Sequence, residues 1–122
     1  MILVDTSVWI DHLHRGEREL VRALNTSLVV QHPMVIGELS LGSLRERSVV
    51  LELLGNLSSA PIASHSEVAR FVEAHALYGR GLSLVDAHLL ASVVLAPGTT
   101  LWTRDKRLRE AADQLGVGAS LP

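Results

Sequence analysis

Four short apolar runs stand out along the chain as strand candidates: "MILV" at 1–4, "SLVV" at 27–30, "APIA" at 60–63 and "TTLW" at 99–102. The longer stretches between them carry apolar residues at helical spacing. Val68, Phe71, Val72 and Ala76 follow that period, as do Ala87, Leu90, Ala91, Val94 and Leu95. Pro33 predicts the first turn of a helix, while Gly81, Pro97–Gly98 and Gly116 mark ends. Short apolar strands alternating with helices predict an α/β fold, a mostly parallel sheet covered on both faces. Ligands of such sheets bind beyond the carboxyl ends of the strands. Asp5 follows the first run directly, and Asp105 comes just after the last.

Four acids sit in awkward places, and each has a structural explanation to set against a functional one. Asp5 closes an apolar strand, where a charge is costly unless it is paired or faces an opening; it could instead cap the helix beginning in "TSVWIDHL", although Thr6 or Ser7 could do that alone. Asp105 reads as the N-cap of "RDKRLREAADQLG". Ser83 and Asp86 have capping-box spacing in "GLSLVDAHLL", with Asp in place of the usual Glu. On that helix, however, His88 and Ser92 are the only later polar residues and define a wet side. Asp86 points roughly 140° from their midpoint, beside Leu90 and Val93. In "HPMVIGELSLG", Glu38 falls inside the apolar arc, between Met34 and Val35. It is therefore expected either to pair with a buried arginine or to line a polar site. Asp11, opposite Trp9 and Leu13 on its helix, shows where a solvated acid lies.

Composition narrows the class. At 122 residues, 48% of them apolar and 20% charged, the chain is expected to be one globular domain spanning 1–122. No run reaches the ~20 apolar residues of a membrane span, and "MILV" meets Asp5 before a secretory apolar region could form. The absence of cysteine excludes disulfides and thiolate metal sites. A cytoplasmic protein with no membrane association is the expectation. The net charge of −2 argues against a nucleic-acid partner only as a sum. Ten arginines accompany a single lysine, and Arg104, Lys106, Arg107 and Arg109 crowd one stretch; arginine is the better bidentate phosphate ligand. Were four acids covered by cations, the remainder would carry +2.

Four carboxylates directed at one place repel one another unless divalent cations bind them, and oxygen-only ligands point to Mg²⁺ or Mn²⁺. Such an ion activates water and stabilises charge on a phosphoryl group, the chemistry of a metal-dependent nuclease. The histidines offer no rival: His12 and His14 point to different sides of a helix, and His32, His65, His75 and His88 lack zinc-motif spacing. His88 reads as solvated, and Trp9 and Trp102 as core or partner contacts. Two other readings stay open. One is a phosphohydrolase of another α/β family with Asp5 as nucleophile, although the second Asp usual two positions later is here Ser7. The other is a non-catalytic binding module.

Taken together, "MILVDTSVWIDHL", "PMVIGELSLG", "GLSLVDAHLLAS" and "LWTRDKRL" resemble, in order and over nearly the whole chain, the PIN-domain ribonucleases, and among them the VapC-type toxins of bacterial toxin–antitoxin pairs. The resemblance implies a three-layer α/β/α sandwich and RNA hydrolysis leaving a 5′-phosphate. It also implies homodimers and a cognate antitoxin. Asp5, Glu38, Asp86 and Asp105 would correspond to the family's catalytic quartet around one or two Mg²⁺ or Mn²⁺ ions. Ser7 would be a helper that positions a ligand or water and a candidate RNA contact, with Thr103 of "TRD" a weaker candidate helper. Arg104 and Arg107 are the first candidates to hold the RNA backbone.

Overall fold

The first apolar run forms β1 (Ile2–Val4) and stops at Asp5. A computed structural model describes residues 1–122. After β1 come α1 (Thr6–Arg15), α2 (Arg18–Asn25), β2 (Val29–Gln31), α3 (Pro33–Ser40), α4 (Arg47–Gly55) and β3 (Ser58–Ser59). The chain continues through α5 (His65–Ala74), α6 (Leu84–Leu95), β4 (Thr100–Trp102) and α7 (Lys106–Gln114). The sheet has the order β3-β2-β1-β4 and every pairing is parallel, with Leu3 set between Val30 and Leu101. This is the α/β/α sandwich that the alternation of elements predicts. The chain steps outward from β1 to β2 to β3, then returns to add β4 on the far side of β1. That reversal makes the crevice beyond β1 and β4 a topological switch point, where parallel sheets place their ligands.

Leu3 and Val4 of β1 and Leu101 and Trp102 of β4 meet Val8, Leu20, Leu90 and Leu108 in one core, which Trp9 also joins. The third apolar run is not a strand. β3 lies just before it, at Ser58–Ser59. The Ala60 amide makes the last bond to β2, on the Gln31 carbonyl, and Pro61 has no N–H with which to continue a ladder. The two helices not singled out by sequence, α2 and α4, bury Leu20 and Ala23, and Leu54, respectively.

The wet side expected for α6 does not exist. The helix is buried without a break from Ala87 to Val93, and His88 is only 3% exposed. A helix apolar nearly all round belongs to the interior, and its two polar residues adapt to it. Ser92 Oγ donates to the Pro61 carbonyl. The His88 ring packs edge-on against His65, with centroids 5.1 Å apart. Neither ring nitrogen of His88 has a partner, and burial pushes its pKa down. His32, also buried, caps α3 by accepting the Met34 N–H at Nδ1, 3.0 Å away.

Candidate active site

Asp5 occupies the N-cap position of α1, yet its side chain caps nothing. Instead Oδ2 accepts from Ser7 Oγ at 2.8 Å and from Thr103 Oγ1 at 2.7 Å, and the residue is 6% exposed. Its location at the end of an apolar strand is thus explained by two hydroxyls, not by a cap. Thr103 is itself buried and also accepts the Asp105 backbone N–H at 3.0 Å, so a single hydroxyl joins the first acid to the last. Ser7 Oγ likewise accepts the Arg104 N–H at 3.1 Å. Its hydroxyl is therefore engaged within the protein and positions Asp5.

Asp105 caps α7, Oδ1 accepting the Leu108 N–H at 3.0 Å. Asp86 completes a capping box: Oδ2 accepts the Ser83 N–H while Ser83 Oγ accepts the Asp86 N–H, each at 3.0 Å. Glu38 is exposed and makes no ion pair, which removes the buried-arginine explanation. Its Oε1 accepts from Thr6 Oγ1 at 2.7 Å, tying α3 to the residue that follows Asp5. α3 packs against both α1 and α6.

All four acids share one arrangement. One carboxylate oxygen is held by the protein, while Oδ1 of Asp5, Oε2 of Glu38, Oδ1 of Asp86 and Oδ2 of Asp105 accept no protein hydrogen bond. Capping and ligand binding, posed as alternatives by the sequence, are therefore compatible at Asp86 and Asp105. Asp86 registers the proximity electrically. Burial raises its pKa, the Ser83 bonds oppose this, and the charges of Asp5 and Asp105 raise it further. No three Asp, Glu or His side chains are gathered tightly enough to ring one ion by themselves. Mg²⁺ suits such a set, because it takes one or two carboxylates, keeps several waters and adds substrate phosphates.

The two arginines singled out by sequence differ sharply. Arg104 Nη1 meets Asp11 at 2.6 Å, Nη2 meets Glu17, and Nε donates to the Pro122 carbonyl at 3.0 Å. The guanidinium lies 5.9 Å from the Trp102 ring centroid. These partners, Glu17 first, raise its pKa and make Arg104 a bracket between α1, its exit loop and the chain end. Asp11, expected to be simply solvated, pairs with Arg104 and with Arg15. Arg104→Ala should accordingly lower the melting temperature by about 5 °C, against almost no change for Arg107→Ala, as scanning calorimetry would show. Arg107 is exposed, forms no ion pair, and lies across Gly81, where a Cβ would collide with its guanidinium.

The periodicity also missed the roles of Thr6 and Thr103 as donors to Glu38 and Asp5; the only sequence signal for them is a hydroxyl beside an acid. The PIN-domain profile matches residues 2–114 of the chain. Ribonuclease VapC32 of Mycobacterium tuberculosis is 54% identical to it over 117 residues, which span 96% of this chain and 94% of the relative. The same figures hold for strain CDC 1551 / Oshkosh and strain ATCC 25618 / H37Rv.

Proposed function

The chain belongs to the PIN-domain family, among the VapC-type ribonucleases, and on that premise we propose that it is an Mg²⁺- or Mn²⁺-dependent endoribonuclease acting as the toxin of a type II toxin–antitoxin pair. The observation that carries the proposal is the shared arrangement of Asp5, Glu38, Asp86 and Asp105, each with one oxygen held and one free. Asp5 and Asp86 would hold the principal ion, with Glu38 and Asp105 completing the site. When bound, the ion supplies an activated water and stabilises the charge that develops on the phosphodiester. The protein's own part is to fix geometry. Ser7 and Thr103 orient Asp5, the Ser83 box orients Asp86, Thr6 orients Glu38, and Arg107 holds a backbone phosphate. The products carry 5′-phosphates.

A cytoplasmic location, homodimerisation and a cognate antitoxin complete the proposal. The two partnerships are supported by exposed apolar side chains, among them Leu41, Leu53, Ile62, Tyr78 and Leu84. An apolar groove of about 340 Å³ also runs between Trp9, Leu13, Leu24, Val50, Leu53 and Leu57. The test is cleavage of single-stranded RNA by protein stripped with EDTA, then resupplied with Mg²⁺ or Mn²⁺. Activity should vanish and return; cleavage that persists in EDTA would overturn the metal-dependent reading. Because burial and neighbouring charge raise the Asp86 pKa, protons compete with the ion at a higher pH than for an ordinary carboxylate. The Mg²⁺ concentration for half-maximal cleavage should therefore climb as pH falls, and begin to do so while pH is still above the usual carboxylate range near ~4.

A further inference from the structure

A second cleft, of about 380 Å³, lies between the later half of α1 and the loop joining α3 to α4. Ile10, Leu13, His14, Ser43, Leu44 and Arg45 line it: three apolar walls, a hydroxyl and two basic side chains, with no acid among them. Ile10 and Leu13 follow Thr6 on one face of α1, so the cleft opens about 6 to 10 Å along the helix from the hydroxyl bound to Glu38.

Sheet order extends this neighbourhood into a line. Glu38 belongs to the helix after β2, on one side of Asp5, and Asp105 follows β4 on the other. Arg45 follows Glu38 in the loop after α3, and Arg107 follows Asp105 in the first turn of α7. Both are exposed and free of ion pairs, whereas Arg15, Arg22 and Arg104 are paired with acids. A polyanion crossing four carboxylates is repelled at the centre, so cations on both flanks are what hold it there.

We propose that the α1/α3–α4 cleft is a nucleotide subsite for the RNA strand. Arg45 and His14 take the phosphate of a nucleotide flanking the scissile bond, and Ile10, Leu13 and Leu44 receive its ribose and base. The proposal rests on the ribonuclease reading and adds to it a grip outside the catalytic carboxylates.

The test measures binding apart from cleavage. The full chain carrying Asp86→Asn is titrated, with Mg²⁺ present, into a fluorescein-labelled single-stranded RNA of twelve nucleotides at several salt concentrations, and anisotropy is read. Adding Arg45→Ala should weaken binding about tenfold and make the slope of log affinity against log salt shallower by about 0.7, the signature of one lost phosphate contact on a single strand. Arg45→Lys should retain most of that slope. Arg70→Ala, which removes another exposed and unpaired arginine on α5, should change neither quantity. Equal affinity and slope for the Arg45→Ala and Arg70→Ala proteins would overturn the subsite. If the unsubstituted chain still cleaves RNA in that case, the ribonuclease reading survives the loss. If it neither binds nor cleaves RNA, both fall together.

Discussion

Asp86→Asn should slow RNA cleavage at least ~100-fold and yet melt at a higher temperature than the unsubstituted chain in EDTA. The first effect follows, on the proposed metal-dependent reading, from removing the charge of Asp86 while sparing its geometry. An asparagine oxygen still accepts the Ser83 N–H, so the capping box and the start of α6 survive. The second effect follows from the raised pKa of this carboxyl, caused chiefly by burial and added to by Asp5 and Asp105. A carboxyl whose pKa is higher in the fold than in the unfolded chain favours folding when protonated. That contribution disappears as pH rises through the interval between the ordinary and the raised value. Above that interval the ionised group is therefore a burden that asparagine removes. Mild acidification in EDTA should narrow the gap between the two proteins, and saturating Mg²⁺ should narrow or reverse it by stabilising only the intact site. Thermal melts with and without Mg²⁺, run beside a cleavage assay, decide the matter. A variant that melts lower in EDTA and cleaves at the original rate would make Asp86 a helix cap and nothing more.

Sequence reading singled out the four acids by their positions relative to the apolar pattern. Asp5 ends a strand, Asp105 follows one, and Asp86 and Glu38 lie on the wrong side of their helical wheels. The wheel failed where its premise failed. α6 has no solvated side, so His88 and Ser92 could not serve as reference points, and the inward direction inferred for Asp86 rested on a false marker. Glu38 shows the converse error. It lies within an apolar arc but near the exposed end of α3, where the arc no longer means burial. The partnerships Arg104–Asp11, Thr103–Asp5 and Thr6–Glu38 join residues 93, 98 and 32 positions apart and leave no periodic trace. Only the strand order that brings β4 beside β1 creates the first two. A guanidinium rich in sequence promise thus became an internal bracket, and a threonine named only as a secondary helper became the link between two acids.

That link leads to the second large effect. Thr103→Val keeps nearly the shape of the side chain and deletes the hydroxyl that donates to Asp5 and accepts the Asp105 N–H. Asp5 Oδ2 keeps Ser7 as a donor but loses the shorter bond, from Thr103 at 2.7 Å, and the Asp105 N–H loses its acceptor. Thr103 is 2% exposed, so water cannot readily replace the hydroxyl. Leaving such groups unpaired costs about 1–3 kcal/mol, and freeing a ligand carboxylate from its supporting bond typically costs ~10–100-fold in metal affinity or activity. Thr103→Val should therefore melt several degrees lower and need more Mg²⁺ for half-maximal cleavage. Thr103→Ser retains the oxygen and should restore the Mg²⁺ requirement to within a few-fold. The serine variant separates the two possible roles of the residue. If the methyl group's packing were what mattered, valine would be tolerated and serine would not. If the hydroxyl holds Asp5 in register with Asp105, the order is reversed, and the Mg²⁺ dependence, not stability alone, is what moves.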